Sequence, residues 1–276
     1  MPVTHPVLDW TTVRLAAGQA VAIGTVLSAS GSVPGKPGAR IAVTKHECFG
    51  TVGGAGLELQ VISRLKGLLE SPEGQVGGLV ETFQLQKEAK GEAGTPLNSL
   101  CGGRVQVSME VVKPMPHVLL CGGGHCAQSI AAACDNLEWR YSVFDVREEF
   151  AAQSMYPDAR ELASSTVDDF LSSENSDSLA RYSDILLLGH DWAVDQDLLL
   201  GLLKIREADP GAIHPRIGVI GSKSKWKAFR AAANDAGITD STLDEVDCPI
   251  GLDIGAESPA EIAIAVTAAI ISRMKS

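Results

Sequence analysis

The residues in this chain best suited to chemistry form a glycine triplet with a histidine and a cysteine behind it, Gly122-Gly123-Gly124-His125-Cys126-Ala127. The run fits G-x-G-x-x-A, in which glycines let main-chain amides approach a phosphate or pyrophosphate and a helix opening beyond them adds partial positive charge. Asp145 stands 23 residues after Gly122, close to where an acid would hold ribose hydroxyls. Two further apolar runs end in polar residues, Asp184 to Leu188 in Gly189-His190-Asp191 and Arg216 to Ile220 in Gly221-Ser222. His125 and His190 could donate to an anionic oxygen, or bond neighbouring carbonyls as structural histidines. Asp191 and Asp195 suit a site and suit equally the cap of the helix that follows them.

These residues need elements to bring them together. Val118 to Cys121 reads as a short buried strand, Ala127 to Leu137 as an alanine-rich helix and Tyr141 to Asp145 as the next strand, a βαβ unit around the glycine turn. In open parallel sheets the ligand crevice lies at the carboxyl ends of the strands, so Gly122, Gly123, Gly124, His125, Asp145, His190, Asp191, Gly221 and Ser222 are expected to converge there. Asp195 to Leu203 and Lys223 to Ala236 supply crossover helices. Ser258-Pro259-Ala260-Glu261 is a capping box that must open a last helix. Before it, Pro249 to Glu257 is too glycine-rich for regular structure and too apolar for a solvated loop, and is expected to pack near the crevice.

The first part of the chain is plainer. Ala20 to Ala29 and Arg40 to Thr44 read as strands around a glycine- and proline-rich turn, Leu57 to Leu69 as a helix, and Gly78 to Leu85 and Val105 to Val112 as later strands. Gly91 to Pro96 reads as a loop. Arg40, with Lys36, is a candidate anion contact beside the first turn. Lys113-Pro114-Met115-Pro116 locks the backbone twice and reads as a linker between domains 1–115 and 117–276. The predicted fold class is α/β, with a C-terminal Rossmann-type parallel sheet carrying helices on both faces and a smaller N-terminal mixed α/β domain.

Charge narrows the partners. Residues 1–116 hold ten Lys and Arg against nine Asp and Glu, whereas residues 117–276 hold thirteen against twenty-five, so the formal net charge of −11 lies in the second domain. Such a surface repels phosphate backbones, which argues against nucleic acid while leaving room for a compact anion held by main-chain amides. No run approaches the length of a membrane span and the amino terminus lacks a secretory pattern, so a soluble cytoplasmic protein is expected. The six cysteines include no CxxC pair, which argues against a zinc ribbon or a thioredoxin-type centre. Cys121, Cys126 and Cys134 read as small apolar packing groups, and Cys101, in Leu100-Cys101-Gly102-Gly103, as either a reactive thiol beside flexible backbone or a buried cysteine before a bulge.

The segments PIGLDIGAESPAEIAIAV, IGVIGSKSK, VLLCGGGHCAQ with FDVREEF, and the His190-Asp191 pair after an apolar strand resemble the xanthine dehydrogenase accessory factor family, XdhC and CoxI. GSVPGKPGARIAV, FGTVGGAGLE and LCGGRVQV extend the resemblance over nearly the whole chain, with departures at Gly35 and Ala55. The resemblance implies a non-catalytic accessory protein that binds molybdenum cofactor (molybdopterin), shields it while a cysteine desulfurase partner supplies its terminal sulfur, and delivers it to a xanthine dehydrogenase-type molybdenum hydroxylase. It also implies a homodimer, and a crevice shared by the two domains in which Cys101 of the CGG motif takes part. Two other readings stand beside it. One is an NAD(P)-dependent oxidoreductase with His190 or Asp191 as proton relay; the other is a regulatory module that keeps the fold without a cofactor.

Overall fold

The computed structural model describes residues 6–71, 78–86, 95–98, 102–189 and 191–275. Cys101 and His190 lie outside the described residues. The chain divides into two compact units, Met1–Pro114 and Met115–Ser276.

The first unit runs α1 (Pro6–Ala16), β1 (Val21–Gly31), β2 (Arg40–Val43), β3 (Cys48–Gly50), α2 (Ala55–Glu70), β4 (Leu79–Gln86), β5 (Thr95–Asn98) and β6 (Gly103–Val112). Its sheet is ordered β3-β2-β1-β6-β4-β5, antiparallel except for the β4 and β5 pair. Side chains alternate across a strand, so Ala22 and Val26 face one side and Val21 and Ile23 the other. The first side packs against Leu57, Val61 and Leu65 of α2, the stripe legible in the sequence. On the second side Val7 of α1 packs with Val21, Ile23 and Ala42. Helix α1 was not foreseen; it opens on Pro6, whose missing N–H costs nothing at a first helical position. Pro96, expected in a loop, lies in β5 at the edge of the sheet, where a residue without an N–H is tolerated.

The second unit runs β7 (His117–Cys121), α3 (His125–Asn136), β8 (Arg140–Phe144), a 3-10 turn (Glu148–Phe150), β9 (Leu162–Ala163), α4 (Val167–Ser173), α5 (Ser176–Leu179), β10 (Asp184–Leu187), α6 (Trp192–Ala208), β11 (Arg216–Val219), α7 (Lys223–Asp235), α8 (Asp240–Leu243) and α9 (Pro259–Lys275). All neighbours in its five-stranded sheet, ordered β11-β10-β7-β8-β9, are parallel. The chain therefore winds outward from β7 through β8 and β9, then crosses back to β10 and β11. That reversal leaves a crevice outside the carboxyl end of β7, where the glycine turn sits.

Alternation within β7 supplies both layers. Leu119 and Cys121 join Leu198, Leu202 and Phe229 of α6 and α7, whereas Val118 and Leu120 join Ile130 of α3 and Val266 and Ile270 of α9. Helices thus cover both faces, as the fold class required. Each leucine buried in this way contributes about 1.5–3 kcal/mol. The capping box forms: Ser258 Oγ accepts from the Glu261 amide at 3.3 Å, and Glu261 Oε2 accepts from the amides of Ser258 and Glu257, each at 2.9 Å.

Candidate functional site

The site begins where β7 ends. Gly122 turns with φ 103°, a conformation L side chains rarely adopt, and its amide donates to the Phe144 carbonyl at 2.8 Å. A Cβ there would also meet the Gly189 nitrogen at 2.7 Å, because the turn leans on the end of the neighbouring strand. The Gly123 amide donates to Asp145 Oδ2 at 2.8 Å, and a Cβ on Gly123 would lie 1.9 Å from the Phe150 carbonyl oxygen. Gly124 differs from both. Nothing lies within 4 Å of its Cβ direction, its φ of −83° suits any residue, and as N-cap of α3 it has no side chain to satisfy the first amides of that helix.

Asp145 is 3% exposed and fully engaged. Its Oδ1 accepts from the Arg147 amide and Nε, both at 2.9 Å, and its Oδ2 accepts from the Gly123 amide and from Arg147 Nη2 at 2.9 Å. Burial alone would raise this carboxyl; the Arg147 side chain, then the two amides, outweigh it and hold the group below the usual range. A carboxylate has about four acceptor positions, and all four are taken within the protein. Asp145 therefore stands where a ribose-binding acid would stand, but its acceptors are occupied. The Gly123 amide, expected to face a pyrophosphate, is likewise engaged by Asp145. Two residues of separation after a strand let the Arg147 guanidinium fold back over Asp145, and the Phe150 ring, 3.7 Å away, holds it from the other side.

Around the open end of the turn lies a hollow of about 440 Å³, lined by Gly122, Gly124, His125 and Cys126 with Arg147, Phe150, Gly189, Ile220 and Pro259. His125 is exposed in the first turn of α3. Asp145 and Asp191 meet with Gly122, Arg147 and Gly189 in a tighter crevice beside it, where Asp191 also caps α6 by accepting from the Ala193 amide at 2.9 Å. Gly221 lines another hollow, shared with the Pro249 to Ala256 loop. Ser222 is exposed and caps α7, accepting from the Lys225 amide at 3.3 Å. Arg40 begins β2 of the first unit, with Nη1 3.4 Å from the Gly38 carbonyl.

Sequence reasoning missed the ion pair beneath this floor. Asp195, 0% exposed, accepts from Lys225 Nζ at 2.8 Å and from the Gly189 amide at 3.1 Å, while Lys225 Nζ also donates to the Ile220 carbonyl at 3.1 Å. The pair ties the ends of β10 and β11 together beside the turn. A signal existed: Asp195 falls on the same helical face as Leu198, Leu199 and Leu202, and a carboxylate in a buried stripe needs a cation.

Cys121 and Cys134 are fully buried in the two cores, as their sequence context suggested, and burial raises both thiols, Cys134 to about 12. Cys126 departs from that reading, since it lines the hollow instead of packing away, and burial raises its thiol as well. Among the described residues no group of three or more His, Cys, Asp and Glu is arranged to hold a metal ion.

A parallel sheet that reverses at β7, with a glycine turn and helix amino terminus at the reversal, defines a Rossmann-type domain. Residues 118–270 match the family described as the XdhC Rossmann domain and residues 14–83 the XdhC and CoxI family; the chain belongs to the XdhC and CoxI family. It is similar to an Escherichia coli protein named "Uncharacterized protein YqeB", 25% identical over 91% of this chain but only 43% of that one, so the chain spans less than half the length of this curated relative. Two solved structures are also similar. One, described as a xanthine dehydrogenase from Bacillus halodurans, is 18% identical with TM-score 0.48 over 97% of this chain and 96% of that one. The other, a short-chain dehydrogenase from Streptomyces avermitilis, is 14% identical with TM-score 0.38 over 56% of this chain and 84% of that one.

Proposed function

We propose that this protein is a non-catalytic accessory factor that binds molybdenum cofactor as cargo, holds it while a terminal sulfur ligand is installed, and passes it to a xanthine dehydrogenase-type molybdenum hydroxylase. One observation carries the choice of cargo. The amides of Gly122 and Gly123 are bonded inside the protein, which leaves the hollow the uncapped amides at Gly124 and the first turn of α3. Uncapped amides at a helix amino terminus suit one anionic group. Molybdopterin carries a single phosphomonoester, whereas a dinucleotide brings a pyrophosphate and a ribose that needs a free acid, and Asp145 has no free acceptor. The residues therefore fit the molybdopterin phosphate better than NAD(P), and family membership supports the same reading.

In this proposal Gly124, His125 and Arg147 hold the phosphate end. The family's CGG motif extends the proposal to Cys101, and the strand-end motif extends it to His190. Sulfur comes from a cysteine desulfurase, in the cytoplasm, and the working form is a homodimer. No described helix is long and apolar enough to cross a membrane.

Anaerobic titration with cofactor released from a molybdenum hydroxylase tests the reading, with bound pterin measured after dialysis. The wild-type chain is expected to retain pterin. Gly124→Val, which has space for its side chain and an ordinary φ, should fold normally and bind about tenfold or more weakly. Failure of the wild-type chain to retain pterin, or undiminished retention by the variant, overturns the proposal.

A further inference from the structure

We propose that the hollow beside the Pro249 to Ala256 loop is the second half of the cargo site and takes the pyrimidinone end of the pterin while the phosphate lies at the glycine turn; this rests on the cargo reading above. The sequence made this loop an anomaly, too apolar for a solvated segment and too rich in glycine for a strand. Ile250 packs against the core of the second unit, but the side chains beyond it are not withdrawn. Leu252 is 44% and Ile254 54% exposed, yet the backbone beneath them is fixed. The Leu252 amide donates to the Ala265 carbonyl of α9 at 3.1 Å, and Gly251 is so close to α9 that a Cβ would meet Ala265 carbon at 2.9 Å. Apolar side chains presented outward on an anchored loop form a wall already in place, and preformed walls lower the ordering cost of binding.

The hollow this wall encloses is about 500 Å³. Ile220, Ile250, Ile254 and Ile262 contribute apolar surface, while Gly221 and Gly255 contribute bare backbone. Apolar surface with main-chain polar groups suits an uncharged pyrimidinone ring. The charged residues in its lining are Lys223 and Asp253. A carboxylate accepts from the amino and ring N–H groups of a pterin's pyrimidinone edge, and an ammonium donates to its carbonyl. The hollow adjoins the one at the glycine turn, because Ile220 lines both. A ligand with an anionic end and a heterocyclic end can therefore lie across Ile220 with each end in a chemically matched place.

The test uses two probes on the full chain, anaerobically: intact cofactor, and 6-hydroxymethylpterin, which keeps the ring but lacks the phosphate and is followed by quenching of its own fluorescence. Ala256→Phe, which places a ring in the second hollow, should weaken both probes roughly tenfold, whereas Gly124→Val should weaken only the cofactor. Should Ala256→Phe fail to fold by circular dichroism, Ile254→Asp at an exposed position replaces it with the same expectation. Cofactor binding unchanged in the second-hollow variant overturns this proposal and leaves the cargo reading standing. Pterin binding that is sensitive to the variant, in a wild-type chain that does not retain cofactor, keeps the ring site and removes the cargo reading. No binding of either probe removes both.

Discussion

His117, the first residue of the strand that carries the glycine turn, makes the fold sensitive to mild acid. Its ring is 5% exposed, bonds Ser142 Oγ through Nε2 at 2.8 Å and meets the Tyr182 ring edge-on at 4.7 Å. Burial is the main reason its pKa falls from 6.5 to about 4; Arg181 and Arg140 add to the effect and Glu161 opposes it. Between those values the unfolded chain binds the proton that the folded chain refuses, so stability is fully present above pH 6.5 and is lost as pH falls towards 4. At about 1.36 kcal/mol per unit, the full loss is about 3 kcal/mol, of which about 2 kcal/mol falls between pH 7 and pH 5. Urea unfolding followed by tryptophan fluorescence at those two pH values measures it. His117→Gln keeps a hydrogen-bonding group near Ser142 but does not titrate, so its curves should converge by about 2 kcal/mol relative to wild type. Equal pH sensitivity in the two proteins would refute the assignment to His117. Asp145, held below its ordinary 3.8, contributes in the same sense only at lower pH and does not interfere in this window.

Two further outcomes follow from the ion pairs at the site. Lys225→Met leaves Asp195 buried without its cation and should cost about 3–5 kcal/mol in urea unfolding at pH 7. Because burial already raises the Asp195 carboxyl, that cost should shrink as pH is lowered and the group protonates, which a pH series would show. Arg147→Ala removes two donors from Asp145 and should let the chain bind NADH detectably by fluorescence where the wild type does not; no gain would mean that Asp145 is not what excludes the ribose.

The parts of the fold legible in the sequence are those whose signals are local. Val118 to Cys121 of β7 is an unbroken apolar run stopped by glycine, α3 follows at helical spacing, and α9 is announced by the Ser258 and Glu261 pair. Elements that depend on distant pairing were not legible. The two-residue strand β9 exists because Leu162 and Ala163 lie beside Val143 and Phe144, and no local pattern marks it. The same division runs through the site. Gly122 to Gly124 and Asp145 were identifiable by spacing, but the engagement of Asp145 depends on how Arg147 folds back, and the bond between Asp195 and Lys225 spans 30 residues that only the sheet order brings together.

The bond from the Gly123 amide to Asp145 also bears on competition inside a cell. On the proposed function the protein is a carrier that must remain empty until it meets its cargo, and by mass action an abundant bystander of moderate affinity would fill it first. Nicotinamide dinucleotides are such bystanders for any Rossmann-type crevice. With one turn amide bonded to its own carboxylate and that carboxylate closed by Arg147, the proposed carrier would withhold both a pyrophosphate donor and a ribose acceptor from them. Selectivity for a rare ligand then comes less from extra contacts to that ligand than from satisfying internally the groups that a common one would use.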